Sequence, residues 1–179
     1  MSAMGRAAGV PVALWRLWRG AWVLAAVGLV ALAGCAAPDR LTPGTLRDQV
    51  LGTHGQPTAR YTAPDGGERL QYTMQPHGQR VYNVDLDRAG RVLRAEQALS
   101  EALFAQRIVP DRWTREDVLR EYGPPSRTMG VRNFDGVVWV WRYADGPLAR
   151  LLYIDIDRSG VVRGYSSGDE PLPDLPDVR

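Results

Sequence analysis

Lysine is missing from this chain: all 22 basic residues are arginine. Cysteine occurs once, at Cys35, and histidine and phenylalanine twice each. No acidic residue precedes Asp39. Each scarcity excludes something. One cysteine cannot build a disulfide framework, so a packed core must carry stability. Two histidines, His54 and His77, with no further histidine or cysteine ligands, do not make a metal site. No phosphate-cradling glycine loop and no nucleophile elbow occur. The expectation is therefore a non-enzymatic protein with no catalytic residue, no metal, no cofactor and no small-molecule substrate. The absence of lysine reads as compositional bias in the coding sequence rather than as an arginine-built binding surface.

What is there begins with Leu32-Ala33-Gly34-Cys35. Ala21 to Ala31 ahead of it is uncharged and apolar, and Arg6, Arg16 and Arg19 are the only charges before it. A basic segment, a short apolar run and a small-residue junction describe a secretory signal. A plain signal peptide or a retained membrane anchor are competing readings of the same run. The Leu-Ala-Gly-Cys motif in this place resembles the lipobox of bacterial lipoproteins. That resemblance implies that residues 1–34 are removed and that Cys35 carries a diacylglycerol on its sulfur, tethering the chain to a membrane surface without spanning it. Ala36 follows, not aspartate. By the same resemblance this favours the outer membrane of a Gram-negative envelope, on its periplasmic face.

Three of the 22 arginines precede Cys35, which leaves 19 against all 20 acids. A near-neutral chain is not expected to bind nucleic acid. Residues 35–44 hold two prolines and read as a short tether. Beyond them the sequence repeats itself. Asp48 to Pro57 aligns with Glu116 to Pro125, Leu70-Gln71-Tyr72 with Trp141-Arg142-Tyr143, and Val84 to Val92 with Ile154 to Val162. A period of this length points to tandem units.

The expected organisation is a first unit over 45–98, a second over 99–167 with its own leading helix, and a disordered acidic, proline-rich tail over 168–179. Thr45 with Asp48, and Thr114 with Asp117, read as helix starts. Gly55 and Pro57, and Gly123 with Pro124 and Pro125, read as stops. Leu99, Leu103, Phe104 and Ile108 are spaced for the leading helix. Strands are expected over 69–74, 80–87, 91–98, 137–143, 151–157 and 161–165, from alternation and β-branched or aromatic content. The fold class expected is α+β: two tandem units, each a helix plus an antiparallel β-meander.

Two sets of residues bear on function. Asp85, Asp87, Gly90 and Glu96, echoed by Asp155, Asp157 and Gly160, approach the spacing of a calcium loop. Ala89 or Ser159 at the fifth position and strands on both sides make hairpin turns of them instead. Trp139, Trp141 and Tyr143 form an aromatic stripe with Arg142 beside it, a candidate partner-binding patch if the sheet face is left open. Tyr61, Tyr72 and Tyr82 are the comparable residues of the first unit.

The run from Leu103 to Pro125, with Thr-Arg-Glu-Asp-Val-Leu and Gly-x-Pro, and then Trp-x-Tyr (141–143) and Asp-x-x-Gly (157–160), resembles the SmpA/OmlA family, the BamE-like domain of outer-membrane lipoproteins. The tandem arrangement is similar to that of the β-lactamase inhibitor proteins. The resemblance implies a protein-binding module among envelope proteins, in assembly or maintenance of outer-membrane β-barrels. Inhibition or regulation of a periplasmic enzyme is the alternative it implies.

Overall fold

Residues that alternate between apolar and polar form eight strands in the computed structural model, which describes residues 37–171. All of them belong to one compact unit. A 3-10 turn over Pro38–Arg40 precedes helix α1 (Arg47–His54). Strands β1 (Ala59–Thr62), β2 (Glu68–Thr73), β3 (Val81–Leu86) and β4 (Val92–Gln97) follow. Helices α2 (Glu101–Arg107) and α3 (Arg115–Tyr122) lead into β5 (Arg127–Met129), β6 (Gly136–Asp145), β7 (Leu148–Asp157) and β8 (Val162–Asp169). The strands make two four-stranded antiparallel sheets, β1-β2-β3-β4 and β5-β6-β7-β8.

The α+β class of two helix-plus-meander units is corrected by this arrangement. The described residues are mostly β, two antiparallel sheets with three short α-helices of 8, 7 and 8 residues. Helices this short are marginal alone in water, and local start signals gave them more weight than their length carries. Helix α1 stays with the first sheet, but α3 is wedged against both.

The start signals themselves divide. Thr114 is the N-cap of α3: its Oγ1 accepts from Asp117 N at 3.4 Å, while Asp117 Oδ2 accepts from Thr114 N at 2.8 Å. Helix α1 starts one residue later than expected, at Leu46, whose N–H donates to Gln49 Oε1 at 3.0 Å. Strand β8 runs to Asp169, past the expected start of the tail. Residues 1–36, with Cys35 and the motif before it, lie outside the described residues, as do residues 172–179.

Three apolar clusters hold the unit together. On one face of the first sheet, Leu70, Val84, Leu86 and Val92 pack against Val50 of α1, with Leu41 beside them. On one face of the second, Trp141, Tyr143, Leu152, Ile154, Ile156 and Val162 pack against Phe104, Ile108, Val118 and Tyr122 of the helical segment. Val81, Ala98 and Leu99 join that second cluster from the end of the first sheet. Val138, Val140 and Leu151 form a third, on the opposite face of the second sheet, with Phe134 and Tyr153 against them. No helix among the described residues is long and apolar enough to cross a membrane.

Candidate functional site

The last four carbonyls of an α-helix have no partner within the helix and must find one elsewhere. In α3 the Leu119 carbonyl accepts from Gly123 N at 2.8 Å, which leaves those of Arg120, Glu121, Tyr122 and the cap Gly123, and side chains from both sheets meet them. Gln71 Nε2 donates to the carbonyls of Leu119 and Arg120 at 3.3 and 3.1 Å, and Asn83 Nδ2 to that of Glu121 at 2.8 Å. Tyr61 donates its hydroxyl to the Leu119 carbonyl at 3.1 Å. From the second sheet, Trp141 Nε1 reaches the carbonyls of Tyr122 and Gly123 at 3.1 and 3.2 Å. Gln71 and Asn83 are opposite one another in the register of β2 and β3 and are buried. Their strand faces alternate polar with apolar, and the polar side faces a helix end rather than water.

Charge is gathered around the same helix end. Arg69 binds Asp85 through two hydrogen bonds of 2.6 and 3.1 Å, and Glu121 at 2.7 Å. Arg94 binds Asp85 at 2.8 Å. Arg107 pairs with Glu96 at 2.7 Å and also with Glu121. Three arginines thus neutralise three carboxylates, and the cations favour the negative end of the helix dipole. Burial pushes the Asp85 carboxyl up, but hydrogen bonds from Arg69 and Arg94 outweigh it and hold it below the usual carboxylate range. Burial likewise opposes the Arg69 charge and is overcome by Asp85 and Glu121.

Above this network opens a cleft of about 500 Å³. Tyr61, Pro64 and Leu93 give it apolar walls, and Arg69, Asp85 and Glu121 lie along its floor. Leu93 is there because the register of β3 and β4 shifts between Asp85 and Leu86, leaving an extra residue on β4. It is 53% exposed, unusual for a leucine in a strand. At the rim Arg120 lies over the Tyr61 ring, 5.6 Å from its centroid, and makes no ion pair among the described residues. Its guanidinium also donates to the Thr62 carbonyl at 3.3 Å, so the site offers a neutral floor, an apolar wall and one cation with no carboxylate partner among the described residues.

The expected patch falls elsewhere. Trp141 and Tyr143 are 0% and 1% exposed and belong to the core beneath α2 and α3, with Trp139 half-buried against them. They are not an open docking stripe, because Phe104 stacks edge-on to Tyr143 at 5.3 Å and Trp141 is taken up capping α3. Arg142 points to the opposite face, bound to Glu170 at 2.6 Å and to the His77 carbonyl at 3.0 Å. Asp87 and Asp157 serve their turns, accepting from Arg91 N and Val161 N at 2.8 and 3.0 Å. His54 sits in a smaller pocket with Tyr72 and Tyr82, and burial lowers its pKa. Among the described residues no three of His, Cys, Asp and Glu converge as metal ligands would.

Of the cleft, only Tyr61 and Asp85 were singled out from sequence, Asp85 as part of a hairpin turn. The available signal was the polar run Arg69, Gln71, Thr73 set against Asn83 and Asp85 on the paired strand. Uncharged amides in place of a fully charged face are the mark of a buried polar face.

No family model matches the chain, and no curated protein matches it. Among solved structures, a DUF4309 family protein (YjgB) from Bacillus subtilis subsp. subtilis strain 168 is similar over 70% of this chain and 79% of its own, at 15% identity and a TM-score of 0.29.

Proposed function

We propose that this chain is a lipid-anchored, non-enzymatic protein-binding module of the bacterial envelope, tethered through Cys35 to the periplasmic face of the outer membrane. The observation that carries the binding role is the cleft at the end of α3. Its floor charges are committed to one another, while Tyr61, Pro64, Leu93 and Arg120, which has no ion pair among the described residues, line its mouth. That combination suits an apolar side chain of a partner with a carboxylate beside it, held between a wall and a cation. The anchor rests on the Leu32-Ala33-Gly34-Cys35 motif. A tether confines the module to a surface and raises its effective concentration against membrane partners. The partner class is envelope proteins, the β-barrel assembly machinery first among them, as the SmpA/OmlA resemblance implies.

Mild crosslinking in the native periplasm followed by mass spectrometry tests this. Recovery of barrel-assembly proteins, lost in both Cys35→Ala and Leu93→Glu, is the expected outcome. Recovery of one soluble enzyme, unchanged in Cys35→Ala, would replace assembly with inhibition.

A further inference from the structure

A second concavity lies at the other end of the first sheet, on the face opposite the cleft. It encloses about 250 Å³ and is lined by Pro38, His54, Thr58, Tyr72, Thr73, Met74 and Tyr82. Met74 is 55% exposed, while Pro38 is buried and fixed by the 3-10 turn, in which the Leu41 N–H donates to its carbonyl at 3.2 Å. Arg80 donates to the Tyr82 hydroxyl at 3.0 Å, and Arg60 bonds Gln56 nearby. Neither arginine forms an ion pair among the described residues.

Chain length turns this pocket into a surface with an orientation. Cys35 is three residues ahead of Pro38. Three residues, fully extended, reach about 11 Å. A lipid on Cys35 would therefore keep Pro38, and the pocket it lines, within about 11 Å of the headgroup region. The residues at the pocket mouth suit such a place. Tyrosine and histidine present an apolar body with a polar tip, methionine is apolar and adaptable, and arginine can lay its stem along the acyl boundary with its charge among phosphates. Burial lowers the His54 pKa, which favours the uncharged ring there.

We propose that the rim of this pocket, His54, Tyr72 and Met74 above buried Pro38 and Tyr82, is a lipid-contact face that seats the domain on the bilayer carrying its anchor. This rests on the lipid-anchor reading given above. It deepens that reading, because it fixes which way the domain faces. The register runs from Thr73 opposite Val81 at the pocket end to Glu68 opposite Leu86 at the cleft end. Five strand residues separate the two ends, about 17 Å, so a seated pocket turns the cleft away from the membrane and towards the periplasm.

The test uses the full lipidated chain in phosphatidylcholine vesicles containing nitroxide-labelled lipid. Lipid occupies the single native cysteine, so Met74→Cys and Leu93→Cys each provide one thiol for a bimane label. The expected result is that both proteins float with the vesicles and that the label at position 74 is quenched several-fold more than the label at 93. Flotation with equal, weak quenching at both positions would overturn the seating and leave the anchor intact. Failure to float would remove the anchor, and the seating with it.

Discussion

At the scale of single residues, the fold depends on a few polar groups in unusual places. Asn83 and Gln71 are buried to serve carbonyls, and each carbonyl they serve would cost about 1–3 kcal/mol if left unpaired. Tyr122 presents the reverse case. Its ring is packed against Phe104 at 5.7 Å and Trp141 at 5.9 Å, but its hydroxyl is buried with no hydrogen-bond partner among the described residues. Burial pushes the phenol pKa far up. Tyr122→Phe removes an orphaned polar atom while keeping the ring, so urea denaturation should show a midpoint equal to or above that of the parent. A loss of more than about 1 kcal/mol would reveal a partner for the hydroxyl.

At the scale of elements, the stops of α1 and α3 separate backbone from packing. Gly55 has φ 75° and ψ −163°, and Gly123 has φ 67° and ψ −169°, both in a region open essentially to glycine alone. A Cβ at Gly55 would meet nothing within 4 Å, whereas one at Gly123 would come 2.9 Å from Gln71 Oε1. Gly55→Ala should cost about 1–3 kcal/mol from the backbone alone. Gly123→Ala should cost clearly more, because the Gln71 amide that caps α3 must move with it. Equal losses in thermal or urea unfolding would mean that the cap is slack.

Elements also show what the sequence could convey. Alternation identified six of the eight strands, since Leu70, Tyr72, Val84 and Trp141 mark their apolar faces plainly. Strands β1 and β5, four and three residues long, carry too little pattern to be read. Periodicity also separates two faces of a strand without saying what lies against them. Thus Arg69, Gln71, Asn83 and Asp85 share the polar faces of their strands, and those faces prove to be the seat of a helix end. The same limit applied to Trp141 and Tyr143, whose burial depends on α2 and α3 folding back over them. The cleft was illegible for a different reason: it needs the extra residue at Leu93 and the approach of Arg120, which are 27 positions apart in the chain.

At the scale of the whole molecule, the junction of Arg69, Asp85, Arg94, Glu96, Arg107 and Glu121 couples the first sheet electrostatically to helices α2 and α3, which pack on the second. Asp85 has a depressed pKa in the folded state, so its contribution is present above the unfolded carboxylate value and is lost as pH falls through the folded one. Stability should hold near neutrality and decline as pH drops below about 4. In Asp85→Asn the parent's decline should become shallower, from a lower starting stability, in urea titrations at stepped pH. An unchanged acid slope would place the acid sensitivity elsewhere.

The two proposals together assign the molecule a polarity, one concavity facing lipid and the other facing protein. Site-specific photocrosslinking in the native host tests that most directly, with the crosslinking residue at Leu93 in the cleft and, as a control, at Leu148, which is equally exposed at 53% but outside it. A discrete adduct to an envelope protein from position 93, absent from position 148 and lost when Cys35 is replaced by alanine, is the predicted result. An adduct from position 148 with none from 93 would contradict the cleft as the docking site.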